Sequence, residues 1–219
     1  MRASTIFYLI VFCIHATMLN LAKGTKAVQF ARHILQDYLN HENHEIPDLE
    51  ESFHEHQGVF VTLHTYPDRE LRGCIGIPLP VMPLHDAIVE SAQSVTRDPR
   101  FPPLKATELN SIVVEVTILT KPQLIRVKEP KEYLNQIAIG RDGLIVEQGF
   151  FKGLLLPQVP VEQGWDIEEY LSHTCMKAGL PPDAWFEKTT KISKFQGQIF
   201  TETKPCGSIK EIRLDGSVN

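Results

Sequence analysis

The sequence predicts an α+β fold in two lobes, mainly antiparallel sheet, with a cleft between them. Two observations carry this. Segments of apolar–polar alternation pair into hairpins, and each hairpin is followed by helical periodicity and then by a β-branched strand. The order also recurs at matched spacing: Gly73 to Asp98 is 25 residues and Gly153 to Gly179 is 26, while Asp98 to Ile112 is 14 and Gly179 to Ile192 is 13. We read this as an internal duplication, hairpin–helix–strand twice, over residues 58–120 and 137–202 of a domain spanning 18–202. Two such units leave a cleft, the usual place for a ligand.

The elements follow in order. After Asn20, a candidate N-cap, apolar residues at Leu21, Ala27, Val28, Ala31, Ile34, Leu35, Tyr38 and Leu39 mark one helical stripe. The acidic, His-rich segment 40–57 reads as an exposed loop. Residues 58–66 alternate, with Val59, Val61 and Leu63 on one face and Phe60, Thr62 and His64 on the other; a turn at 67–70 leads to Leu71–Ile77. Residues 82–97 have helical spacing, and Ile112–Leu119 is a strand. Gly143–Gln148 and Gly153–Pro157 form the second hairpin, across residues 149–152. Asp166 caps a helix that ends at Gly179, Ile192–Phe200 is the last strand, and residues 203–219 read as a tail.

Composition narrows the class. Net charge is −5, and six of the 27 acids fall in residues 40–57, which leaves 22 bases facing 21 acids elsewhere. With no dense basic run, nucleic acid is an unfavoured partner. Four scattered cysteines without a CxxC speak for reduced thiols in a cytoplasmic protein, not for a disulfide framework. The apolar run Ile6–Ile14 is too short to span a bilayer. It lies in an N-terminal extension, residues 1–17, open to two readings: an export signal, or sequence ahead of a start at Met18.

Leu71-Arg72-Gly73-Cys74-Ile75-Gly76 resembles the LRGCIG signature of the AMMECR domain family. Asp98-Pro99-Arg100-Phe101-Pro102-Pro103 resembles its D-x-R-F-P-P segment, Glu115–Leu119 its E-V-S-hydrophobic-L strand, and Leu155–Val159 with Glu162–Trp165 its L-P-x-V and E-Q-G-W region. The resemblance covers residues 20–202 and identifies the chain as an archaeal or bacterial-type member. One departure is Ile77, which follows Gly76 where many members have Thr-Phe, so a hydroxyl role there does not carry over. The resemblance implies an α+β fold with a duplicated unit and no established reaction. Some members accompany or are fused to Memo-like and radical-SAM proteins, which associates the family with a metabolic or modification pathway.

Cys74 is the leading chemical candidate. Alternation places Arg72, Cys74 and Gly76 on one face, and an adjacent guanidinium would favour a thiolate. Gly73 and Gly76 would let a ligand approach the backbone, or simply allow close strand packing. Two hairpin registers satisfy the apolar pattern: a three-residue loop sets His64 opposite Cys74 as a nucleophile–base pair, whereas a five-residue loop sets Thr62 there and His64 opposite Arg72. Glu115, mid-strand, needs a partner such as Arg72, Arg97 or Arg100, or serves as an acid–base group. Asp98 and Arg100 are candidates for an anionic ligand or for ordering their loop, and Gln158 for a hydrogen bond across the cleft. His41, His44, His54 and His56 lack the spacing of a metal motif, and no phosphate or dinucleotide fingerprint is present, so no metal or cofactor is assigned.

Three functions follow in order of preference. The first is a small-molecule enzyme or modification factor with Cys74 as nucleophile, Glu115 or His64 as base, and Arg72, Gly73, Gly76, Asp98, Arg100 and Gln158 around the ligand. The second is a non-catalytic binding or protein-interaction module. The third is an RNA-binding sheet.

Overall fold

The computed structural model describes residues 21–42 and 49–212. The extension at 1–17, the cap at Asn20, His44 and the end of the tail lie outside them. Helix α1 (Leu21–Asn40) buries the expected stripe of Ala27, Val28, Ala31, Ile34 and Leu35. Strands β1 (Gly58–Thr65) and β2 (Leu71–Ile77) form the first hairpin, followed by helix α2 (Leu84–Val95) and β3 (Ile112–Leu119). After a short β4 (Gln123–Leu124) come β5 (Gly143–Gln148) and β6 (Phe151–Leu155), a short helix α3 (Gln158–Gln163) and α4 (Ile167–Lys177). The chain closes with β7 (Lys191–Phe195), β8 (Gly197–Glu202) and β9 (Ile209–Ile212). No helix among the described residues is long and apolar enough to cross a membrane.

Both sheets are antiparallel throughout. The larger has the order β2-β1-β3-β8-β9 and the smaller β4-β7-β5-β6. The trio β2-β1-β3 and the trio β6-β5-β7 therefore place hairpin and third strand in the same order. Helices α1 and α2 cover one face of the large sheet over a core that includes Phe53, Val61, Leu63, Val114, Val116 and Phe200. Helix α4 seals the second lobe around Leu144, Val146, Tyr170 and Leu171. A small third cluster of Leu119, Ile145 and Phe195, with Phe60, Leu154 and Leu156 against it, joins the lobes.

Local chemistry explains the boundaries. Asp166 accepts from the Glu169 amide while the Glu169 carboxylate accepts from the Asp166 amide, a reciprocal cap at the start of α4. Gly179 at φ 80° ends that helix in the left-handed conformation expected of it.

Three expectations are corrected. The run 192–200 is two strands in different sheets. The break is at Gln196, whose amide donates to Thr120 Oγ1 (2.8 Å) while its carbonyl accepts from the Thr120 amide (2.8 Å). The supposed tail contributes β9, which pairs Ile209–Ile212 with Ile199–Glu202. The second hairpin turns in two residues, Gly149 and Phe150, so β6 begins at Phe151. Gln158, just past the hairpin, opens helix α3.

Candidate functional site

The β1–β2 loop spans five residues, and the register sets Thr62 opposite Cys74. An irregularity between Leu63 and His64 then brings His64 opposite Leu71, so Arg72 is the extra residue of the bulge. This reverses the alternation at the start of β2. Leu71 turns to the Cys74 face and Arg72 leaves it. Arg72 instead donates to Glu108 from Nε (3.0 Å) and Nη2 (3.2 Å), and to the Pro102 carbonyl (2.9 Å). Neither the directly opposed Cys74–His64 pair nor the Arg72-stabilised thiolate is formed.

Asp98 and Arg100 are built around the backbone of Cys74. Asp98, 2% exposed, accepts from the Cys74 amide (2.9 Å), the Arg100 amide (3.1 Å), Arg100 Nε (3.0 Å) and Arg100 Nη2 (2.6 Å). Arg100 Nη2 also donates to the Cys74 carbonyl (3.0 Å). β2 is an edge strand. The carboxylate–guanidinium fork therefore takes the place of a neighbouring strand at Cys74, which satisfies the edge. The Arg100 hydrogen bonds, with the two backbone amides, hold the Asp98 carboxyl far below the usual carboxylate range.

The open face of the large sheet, opposite α1 and α2, meets α3 of the second lobe across a cavity of about 530 Å³. His64 of β1, Cys74 of β2, Arg100 of the loop after α2, Glu115 of β3 and Gln158 of α3 all line it. Five separate elements thus supply five of the candidates read from the sequence. Arg72, Gly73, Gly76 and Asp98 do not line it. A Cβ on Gly73 would meet Val95 at 3.1 Å, and one on Gly76 would meet the Val59 carbonyl at 2.3 Å and the Phe60 ring at 2.5 Å. Both glycines therefore serve close packing.

Within the cavity, Thr62 Oγ1 donates to Cys74 Sγ (3.3 Å). Burial pushes the Cys74 thiol pKa up, against the Thr62 bond and the Arg100 charge, while Glu115 and Asp98 push it the same way as burial. The group is a neutral thiol near neutral pH. Glu115 faces His64 Nε2 at 3.7 Å; it is not paired with Arg72, Arg97 or Arg100. That distance is too long for a hydrogen bond, and the Glu115 side chain is only 15% exposed. His64 Nδ1 is buried with no hydrogen-bond partner among the described residues.

Sequence reasoning missed other lining groups, chiefly Thr117, Leu156 and Glu162. Thr117 shares the Glu115 face by alternation. Gln158 and Glu162 are four apart on one helical face, a signal visible only once α3 is recognised.

Fold and site define a mixed α+β domain with a cleft between its lobes. A family model, AMMECR1, matches residues 28–200, and the chain belongs to that family. Protein MJ0810 of Methanocaldococcus jannaschii is 58% identical over 198 residues, covering 90% of this chain and 98% of its own. A protein of Methanococcus aeolicus is 51% identical over 194 residues, covering 88% and 98%. The crystal structure of the uncharacterized protein PH0010 from Pyrococcus horikoshii matches with a TM-score of 0.77 at 48% identity, covering 88% of this chain and 97% of that one.

Proposed function

We propose that the chain binds a small molecule in the inter-lobe cleft and acts on it by proton transfer, with His64 and Glu115 as the acid–base pair. The observation that carries this reading is the convergence of His64, Cys74, Arg100, Glu115 and Gln158 from five elements on one cavity of about 530 Å³, a size typical of small-ligand sites. A carboxylate and an imidazole 3.7 Å apart, both facing the cavity, suit proton abstraction from or delivery to a bound molecule. Cys74 contributes a neutral thiol held by Thr62, so the pair and not the thiol does the chemistry. The Asp98–Arg100 fork fixes the floor of the cleft. The matching strand order of the two halves supports an internal duplication as the origin of the cleft, and a reduced, cytoplasmic setting accords with the free thiols.

The rival RNA-binding reading loses ground here, because Glu115 and Glu162 line this face and no lysine does. The test is enrichment from a metabolite extract by equilibrium dialysis with mass-spectrometric detection, for the wild-type chain and for Gln158→Trp, which fills the cavity from its rim. Enrichment of one or a few compounds by wild type and not by the variant is expected. Equal retention by both, or none by either, would refute the reading.

A further inference from the structure

We infer that the cleft selects a cationic nitrogen, a primary amine or ammonium group carried on an apolar body. This deepens the cleft reading and rests on it. The charge balance of the cavity carries the inference. Its one guanidinium, Arg100, is already matched: Nε and Nη2 are engaged by Asp98, and Nη2 also serves the Cys74 carbonyl. That leaves Glu115 and Glu162 facing the same space with no lysine or arginine paired to either. Glu115 is the more telling of the two. Its side chain is 15% exposed, it lies between Thr62 and Thr201 in the ladder, and its ionisable partner is the His64 ring at 3.7 Å.

A largely buried carboxylate costs stability unless a donor satisfies it. No donor of the described residues hydrogen-bonds Glu115, and its carboxylate opens on the cavity, where a bound donor can satisfy it. A primary ammonium supplies three N–H donors and a full positive charge, whereas a carboxylate or phosphate ligand would meet two like charges. The rest of the wall is apolar, with Phe60, Leu71, Leu156, Val159, Ile199 and Ile212 surrounding the polar floor. A hydrocarbon or aromatic body would therefore be buried while the nitrogen sits at Glu115. The side-chain amide of Gln158, which has no hydrogen bond to the described residues, is placed to bond a second polar group of the ligand.

The experiment is an NMR titration of the full chain at pH 7.5 with hexylammonium, hexanol and hexanoate, which share a chain length and differ in charge. Hexylammonium should shift the amides of Thr62, Cys74, Thr117 and Gln158 saturably, and hexanol and hexanoate should bind at least about tenfold more weakly. Glu115→Gln should weaken hexylammonium about tenfold, and Glu162→Gln, a change at an exposed turn of α3, about threefold. If hexanoate or hexanol binds as tightly as hexylammonium, or if neither variant weakens the amine, the amine assignment is wrong and the cleft survives as a binding site. If none of the three shifts these amides, the cleft reading falls with it.

Discussion

Replacing Asp98 by Ala should be among the most damaging single changes near the cleft. The Asp98 carboxylate accepts four N–H groups, and one of them, the Cys74 amide, is fixed to an edge strand and has no ladder partner to fall back on. Losing a hydrogen bond to a charged acceptor costs about 1.5–3 kcal/mol. Unpairing Arg100 adds little, about 0.5–1 kcal/mol, because its side chain is 55% exposed and rehydrates. The sum is about 3 kcal/mol, which for a domain of this size lowers Tm by about 6–12 °C. The same change also leaves the Arg100 charge unmatched beside Cys74, so alkylation of that thiol should speed up at fixed pH, while buried Cys175 stays protected as a marker of the folded state. The pH dependence has a definite sign. Because the folded carboxyl titrates far below its unfolded range, its contribution is present above about pH 4 and fades as pH falls below that, so the gap between wild type and Asp98→Ala should narrow by pH 3. Calorimetry of both proteins from pH 7 to pH 3, with iodoacetamide labelling at pH 7.5, measures all three effects. A stability difference under about 0.5 kcal/mol at pH 7 would refute the edge-capping account.

Two further changes probe the scaffold. Gly76→Ala drives a methyl group to 2.3 Å from the Val59 carbonyl and should cost about 1–3 kcal/mol by chemical denaturation, with the β1–β2 amides shifted most. Arg32→Met removes a buried guanidinium that pairs with Glu202 and donates to the Leu109 and Ile112 carbonyls. It should cost about 3–5 kcal/mol, because the Glu202 carboxylate stays buried without its counter-charge.

Much of the fold was legible because its strands carry strong alternation or β-branching. β2, β3 and β5 begin and end where the sequence pattern does. The failures share a cause: they depend on pairing, which no local pattern records. Residues 192–200 look continuous because Ile192, Phe195, Ile199 and Phe200 spread apolar residues along the run, and the Thr120–Gln196 exchange of hydrogen bonds divides it. β9 is four residues of weak periodicity that pair as an edge strand with β8. At the site, His64, Cys74, Arg100, Glu115 and Gln158 line one cavity. The bulge at Arg72 was invisible; it turns that arginine away from Cys74 to Glu108, while Arg100 bonds the Cys74 carbonyl. Both hairpin registers satisfied the apolar faces, so sequence alone left open whether Thr62 or His64 meets Cys74.

The sharpest test of the cleft chemistry is the pH profile of iodoacetamide alkylation at Cys74, resolved by mass spectrometry, in the wild type and in Arg72→Ala. Burial and the neighbouring carboxylates predict an apparent pKa above the ~8.5 of a free thiol, unchanged by Arg72→Ala because Arg72 is engaged by Glu108. A Cys74 pKa well below that value, raised by Arg72→Ala, would restore the thiolate nucleophile and contradict the assignment of the chemistry to His64 and Glu115.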